Sequence, residues 1–514
     1  MIPAFRPEPF SDFKDPAVAA AFEQALAAVK EQLGKRYPMI IGGRRVDAAE
    51  AIRSVNPSQP DQVVGYAAKG GLAEAEAAVE AALQAFPAWA ATPAEVRARV
   101  LFKAAAIMRR RKHELSAWLC HEVGKNWAEA DADTAEAIDF LEYYGRQMLK
   151  LAGPQPLTPY PGEENHLYYR PLGVGVVHSP FNFPLAILTG MTAAAIVTGN
   201  TVVVKPSTEA PVIAAKLFAI LEEAGLPAGV ANLIYADPVE VGDYLTTHKD
   251  VRFINFTGSR EVGCRIYELA AKVQPGQIFL RRVIAEMGGK DAIIVDGTAD
   301  LDDAAAGIVA SAFGFSGQKC SACSRAVVTA DVYDQVLEKV VARARTLKVG
   351  PATARDTDVG PVAAERFQKK ILEYIEIGKS EGRLVLGGNA LPGGWYVEPT
   401  IFADVAPTAR IAQEEIFGPV VAFIKAEDFD DALRIANGTP FGLTGSVYSR
   451  NREHLEQARL EFMVGNLYFN RKSTGAIVGV HPFGGFNMSG TDSKAGGPDY
   501  LLLFTQAQSV SERL

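Results

Sequence analysis

Three residues far apart in the chain have the side-chain types needed to act on a carbonyl carbon through a covalent intermediate. They are Cys320 in GFSGQKCSACSR, Glu286 in VIAEMGGK and Asn182 in SPFNFP. A thiolate is a strong soft nucleophile, a carboxylate can activate water, and a carboxamide N–H can hold a developing oxyanion. A free thiol titrates near 8.5 and is only a few per cent ionised at neutral pH, so Cys320 needs help from Lys319, a nearby base or backbone dipoles. Each residue also has a plainer reading when taken alone. Cys320 could be a small buried hydrophobe, Asn182 a partner for backbone groups, and Glu286 half of an ion pair.

The elements that must position these side chains fall into two alternating series. A helical preface comes first, with an Ala-rich amphipathic helix over 17–34, a hairpin in YPMIIGGRRVDA turning at Gly42-Gly43, and helices over 72–89, 95–124 and 127–151. PQPLTPYPGEENHLYYRPLG then reads as a protruding hairpin around PGEEN. VGVVHS, TVVVK, VANLIY and VRFINFTG follow, alternating with helices, which predicts a parallel sheet covered on both faces. A second such series starts at KDAIIVD and continues through helices over 301–315 and 333–347 and the strands SRAVVTA, VVAFIKA, GSVYS and GNLYFN. The junction falls at 286–290, and ligand sites favour such clefts. The tail from Thr491 is read as extended, with LLLF pairing against another strand.

A chain of 514 residues calls for two or three domains. With 48% hydrophobic and 22% charged residues it is of ordinary globular composition, and a net charge of −8 argues against a nucleic-acid groove or an anionic membrane surface as partner. The start has no basic region followed by an apolar core, which predicts a cytoplasmic protein. Residues 185–204 carry no charge, yet Gly199-Asn200 divides them into a buried helix and a β-branched strand. Four sparse cysteines predict reduced thiols. The Cys320–Cys323 C-x-x-C has no second ligand pair, so no metal is expected. One helical turn between those two thiols would allow an inhibitory disulfide.

VRFINFTGSREVG is a buried strand running into a helix, with Ser259 as N-cap and Glu261 in the first turn. Such a junction offers free N–H groups to a pyrophosphate. The spacing from Gly258 to Gly263 is G-x-x-x-x-G rather than the G-x-G-x-x-G fingerprint, so a tight structural turn is an equal reading. GVGVVH lacks the right following helix and is read as a strand.

FTGS, EMGGK, GQKCSA, EEIFGP and PFGGF occur in the order and approximate spacing of the aldehyde dehydrogenase superfamily, and the chain resembles that family over nearly its whole length. The resemblance implies an α/β aldehyde dehydrogenase fold. Residues 1–154 and 171–285 would form a Rossmann-like dinucleotide domain and 286–483 an α/β catalytic domain. Residues 155–170 and 484–514 would form a β-hairpin oligomerisation flap on which a homodimer or higher oligomer is built. It further implies NAD as cofactor, with NADP possible. Lys205 would hold the adenosine ribose, Ser259 with Gly258 and Gly263 the pyrophosphate, and Glu415 the nicotinamide ribose, with Phe417 beside the ring. The family's NAD-preferring members often carry an acid three residues after that lysine. Here the position is Thr208, with Glu209 next, and a neutral side chain would not repel a 2′-phosphate.

Within the superfamily, SPFNFP, GGKDAII, GQKCSACSR and above all NRKSTGAIVGVHPFGGFNMSGTD resemble the branch that oxidises L-glutamate γ-semialdehyde to glutamate, the second step of proline breakdown. That resemblance places the substrate α-carboxylate on Ser321 and the backbone of Gly475 and Ala476. Phe183 and Phe486 would flank its methylenes, with Glu136 near the pocket mouth. Other readings stand beside it: a mobile STGAIVG loop, a different small semialdehyde such as succinic semialdehyde, or a catalytically silent nucleotide-binding homologue.

Overall fold

The two alternating series form two seven-stranded sheets in the computed structural model, which describes residues 3–514. The first sheet runs in the order Arg282–Glu286, Val251–Thr257, Val174–His178, Thr201–Lys205, Ala231–Leu233, Met39–Ile41, Arg44–Val46. Its first five strands are parallel, and the last two add antiparallel. Val174–His178 and Thr201–Lys205 are buried along their whole length because helices cover both faces, which is why their sequences run apolar instead of alternating. Chain order reverses between Val174–His178 and Val251–Thr257, and in open α/β sheets the crevice outside the carboxyl ends at such a reversal is where ligands bind. His178, Lys205, Thr257 and Glu286 end the strands around it.

The second sheet runs Arg383–Leu386, Thr400–Ala403, Val420–Ala426, Cys323–Thr329, Asp291–Val295, Thr444–Tyr448, Asn466–Phe469, parallel except at its first strand. Cys320 stands just ahead of the amino end of Cys323–Thr329. Before it, Phe315, Ser316 and Gly317 are successively left-handed, at φ 48°, 54° and 66°. Two consecutive non-glycine residues in that region are uncommon and fix a sharp reversal from helix Leu301–Phe313 into the Cys320 segment.

Several expectations hold. The hairpin turns at Gly42 and Gly43 with φ 57° and 77°, as a two-residue primed turn requires. The charge-free stretch resolves into helix Ala186–Val197, a turn at Gly199 (φ 95°) and strand Thr201–Lys205. Among the described residues no helix is long and apolar enough to cross a membrane.

Four local readings need correction. The helix expected over 95–124 is two, Ala94–Arg110 and Lys112–Val123, broken at Arg111 (φ −105°, ψ 19°). LLLF is not a strand; Tyr500–Phe504 is a short 3-10 turn whose Tyr500, Leu501 and Phe504 sink into the core. Pairing begins only at Thr505–Arg513, which runs antiparallel to Glu163–Pro171 over nine residue pairs, while Gln155–Pro156 contributes two. The protruding hairpin is thus a three-stranded sheet closed by the tail. Finally, Ala51–Asn56 and Gln59–Gly70 form an antiparallel pair ahead of the first long helix, where no strands are expected.

Candidate active site

A cavity of about 460 Å³ opens at the reversal in the first sheet and reaches across to Cys320, ahead of a strand of the second. Cys320 and Asn182 both line it. Asn182 sits in the loop between strand Val174–His178 and helix Ala186–Val197, only 3% exposed. Its carboxamide makes no hydrogen bond to the rest of the described chain, which leaves its N–H free for a ligand oxygen.

Glu286 ends strand Arg282–Glu286, where its carbonyl accepts the Gly258 N–H at 3.0 Å. Its carboxylate does not line the cavity. The Ser493 hydroxyl donates to Oε1, while Oε2 is buried without a partner. Burial pushes this carboxyl up to about 7, partly offset by Ser493 and by the nearby Lys494. Glu286 still acts on Cys320 through space: burial and the carboxylates of Asp291, Glu415 and Glu286 push the thiol well above its ordinary range, opposed by its own backbone N–H. The helper expected in Lys319 is engaged elsewhere, because its ammonium pairs with Glu129 at 2.6 Å.

Lys205, Thr208, Gly258, Ser259, Glu415 and Phe417 line the same cavity. Ser259 caps helix Arg260–Ala271 by accepting the Val262 N–H at 3.4 Å. Gly263 stands inside that helix, where a Cβ would come within 2.4 Å of the Met287 sulfur, so close packing on Met287 is what demands glycine there. Burial lowers the Lys205 ammonium to about 8 against the pull of Glu209 and Asp237. Beside it His178, whose place at the end of VGVVH gives no local sign of a site, is held neutral by burial and by Lys205, down to about 3. Glu415 accepts the Gly289 N–H at 3.0 Å, and a Cβ at Gly288 would lie 2.3 Å from its other oxygen. Phe417 holds a left-handed backbone (φ 61°) and sets its ring edge-on to Phe181, 5.8 Å between centroids.

These features fit a dinucleotide. A helix amino terminus, a buried cation, a fixed carboxylate and an aromatic wall share one cleft of suitable size. Near Lys205, Glu209 also lines the cavity, held by the Ser207 hydroxyl at 2.7 Å and paired with Arg366. The carboxylate missing at Thr208 is therefore present one residue on.

The residues expected around the substrate lie outside that cavity. Ser321 follows Cys320 and is 8% exposed. The loop bearing Gly475 and Ala476 is tied to it: the Ser473 hydroxyl donates to the Ser321 carbonyl at 3.2 Å, the Ser473 N–H donates to the Ser311 hydroxyl at 3.1 Å, and Arg471 donates to the Gly475 carbonyl at 2.6 Å. Gly475 takes φ 76°, which suits glycine. The Phe183 ring lies 3.7 Å from the Lys125 ammonium, and Phe486, in the short pair with Phe441–Gly442, lies 5.2 Å from that of Lys494. Glu136 is half-buried on helix Trp127–Leu151, and burial with the neighbouring Asp133 pushes it to about 8. Cys323 opens a strand, 1% exposed among aliphatic side chains, with its thiol 3.5 Å from the Arg325 carbonyl. It does not share a helical turn with Cys320, so the premise for a disulfide between them fails.

The fold is that of an aldehyde dehydrogenase, and the chain belongs to the aldehyde dehydrogenase family, whose sequence model matches residues 45–510. It is 62% identical over 513 residues to a 1-pyrroline-5-carboxylate dehydrogenase of Geobacillus thermodenitrificans, covering all of both chains. It is 59% identical over 506 residues to the enzyme of that name from Bacillus subtilis, covering 98% of each. Among solved structures, 1-pyrroline-5-carboxylate dehydrogenase from Thermus with bound NAD superposes at a TM-score of 0.99, with 56% identity over the whole of both chains.

Proposed function

We propose that this chain is an NAD-dependent L-glutamate γ-semialdehyde dehydrogenase, oxidising the open form of 1-pyrroline-5-carboxylate to L-glutamate in proline breakdown. One observation carries the reading: Cys320 and the unpartnered Asn182 amide open on the same cavity as Lys205, Ser259, Glu415 and Phe417, while the Gly475 loop is hydrogen-bonded to the residue next to the nucleophile. Full-length identity to relatives bearing that activity's name supports the substrate.

In this reading Lys205, Ser259 and Glu415 hold the dinucleotide, and the nicotinamide, when bound, supplies the hydride acceptor. Cys320 Sγ bonds to the aldehyde carbon as its proton passes to a base, and the Asn182 amide and Cys320 N–H hold the oxyanion of the resulting thiohemiacetal. After oxidation to the thioester, Glu286 takes a proton from water as that water attacks the acyl carbon, and the Cys320 sulfur leaves with the bonding pair. Ser321 and the N–H groups of Gly475 and Ala476 take the substrate α-carboxylate, between Phe183 and Phe486, with Glu136 at the mouth. The first sheet's elements (1–154 and 171–285) serve the cofactor, and those of the second (286–483) serve the covalent chemistry. The three-stranded sheet of 155–170 and the tail exposes residues 506–513 on both faces, which suits a homodimer or higher oligomer; cytoplasmic placement suits this metabolism.

A panel of kcat/KM values tests the substrate. Glutamate semialdehyde should exceed succinic semialdehyde by about 10²-fold or more, because the latter is one carbon shorter, so with its aldehyde at Cys320 its carboxylate falls short of Ser321 and the Gly475 loop and leaves their polar groups unpaired. Preference for succinic semialdehyde would sink the assignment. The cofactor end gives a separate expectation. Glu209→Gln removes the carboxylate and leaves Arg366 unpaired beside the cavity, so the NADP to NAD ratio of kcat/KM should rise about tenfold. An unchanged ratio places Glu209 away from the ribose.

A further inference from the structure

Two loops must keep a fixed distance for Cys320 and Asn182 to meet one carbonyl carbon, and the same helix touches both. Trp127–Leu151 carries Glu129 and Asp133 four residues apart, on one face. Glu129 pairs at 2.6 Å with Lys319, the residue before the nucleophile. The Asp133 Oδ1 accepts the Ala186 N–H at 2.7 Å, in the first turn of helix Ala186–Val197. That helix has Leu185 at its N-cap and no side-chain cap of its own, so Asp133 supplies one from outside. The Asn182 loop runs directly into it.

Between the two carboxylates lies Lys125. Its ammonium is 3.0 Å from Asp133 Oδ2, with both side chains wholly buried, and sits 3.7 Å from the Phe183 ring and 4.7 Å from that of Phe315. Phe183 follows Asn182, and Phe315 belongs to the left-handed run that leads to Cys320. The lysine itself is held rigidly. Gly124, left-handed at φ 75°, ends helix Lys112–Val123, and Asn126 caps the next helix by accepting the Glu129 N–H at 3.0 Å. A wholly buried ion pair is costly to bring out of water and is a poor stabiliser against apolar packing, so stability alone does not explain it.

We infer that helix Trp127–Leu151 is a positioning element for the reaction. Glu129 holds the nucleophile segment through Lys319, Asp133 holds the oxyanion loop through Ala186, and Lys125 braces Phe183 and Phe315 between them. The inference rests on the catalytic reading of Cys320 and Asn182. Lys125, Glu129 and Asp133 do not line the cavity; they set the spacing of the groups that do.

The test uses near-isosteric variants of the full chain. Asp133→Asn keeps a carbonyl oxygen for the Ala186 N–H but removes the charge facing Lys125, and Asp133→Leu removes both. Aldehyde oxidation at saturating substrate should fall about tenfold in Asp133→Asn and in Glu129→Gln, and about 10²-fold in Asp133→Leu, the scale expected when an oxyanion donor moves by about 1 Å. NAD affinity by calorimetry, and the rate of Cys320 alkylation by iodoacetamide, should stay within about threefold, because alkylation forms no oxyanion. Two results overturn the inference: kcat within threefold of the parent in both Asp133→Asn and Glu129→Gln, or oxidation, NAD binding and alkylation falling together in those two variants. If Asp133→Leu does not fold, the two conservative variants decide alone. If the parent itself oxidises no aldehyde while still binding NAD, the catalytic reading has failed, and the positioning role fails with it.

Discussion

Cys320→Ala is expected to abolish aldehyde oxidation, by at least about 10⁴-fold, while NAD affinity stays within about threefold of the parent. The separation follows from the geometry. Cys320 meets the cofactor cavity at one end, whereas Lys205, Ser259 and the helix terminus at Arg260 are held by the first sheet and its own caps. Removing one sulfur there leaves those supports untouched. Calorimetric titration with NAD alongside a steady-state assay measures both terms, and a large loss of NAD affinity would show that the thiol belongs to the cofactor site. The parent thiol carries a companion expectation. Burial and the carboxylates of Asp291, Glu415 and Glu286 all raise it, and Lys319 is paired away, which favours the thiol over the thiolate at neutral pH. Its alkylation by iodoacetamide should be slow at pH 7 and accelerate steadily as the pH rises, because the thiolate is the reacting form.

The parts of this site legible in the sequence are those that end strands. TVVVK and VRFINFTGS announce themselves as apolar-rich runs, as strands covered on both faces require, and Lys205 and Ser259 stand at or just past their carboxyl ends, where the sheet meets the cavity. Asn182, Glu286 and Cys320 were found through motif order, not through any local rule. What escaped was carried by tertiary burial. Glu129 and Asp133 lie four apart on a helix, a spacing of two acids that reads as a solvated face, and only packing against the Asn182 loop and Lys319 draws them inward. The break at Arg111 has neither Gly nor Pro to mark it, since RRRK continues a good helical composition. Ala51–Asn56 and Gln59–Gly70 were missed because Pro57, Pro60 and a run of alanines weaken the strand signal. Cys323 was placed by its distance along the chain from Cys320, yet a strand start, not a helical turn, decides where its thiol points.

Glu286→Gln should separate the two halves of the reaction. The amide keeps the shape that receives the Ser493 hydroxyl but cannot take a proton from water, so thioester hydrolysis should slow by about 10²- to 10⁴-fold while thioester formation continues. A rapid mix of variant, NAD and aldehyde should then release about one NADH per active site before a slow steady state. A linear trace with no burst would remove Glu286 from the hydrolytic step. The pH dependence gives an independent reading with a definite sign. Burial raises this carboxyl to about 7, and the base is its ionised form, so in the parent enzyme kcat limited by hydrolysis should be flat above about pH 7 and fall tenfold per unit below it. The same limb should vanish in Glu286→Gln. Because the carboxylate lies against Ser493 and outside the cofactor cavity, NAD affinity should show no matching dependence. A limb that persists in the variant would belong to another buried acid such as Asp291, which burial raises to about 8 and whose Oδ2 has no partner.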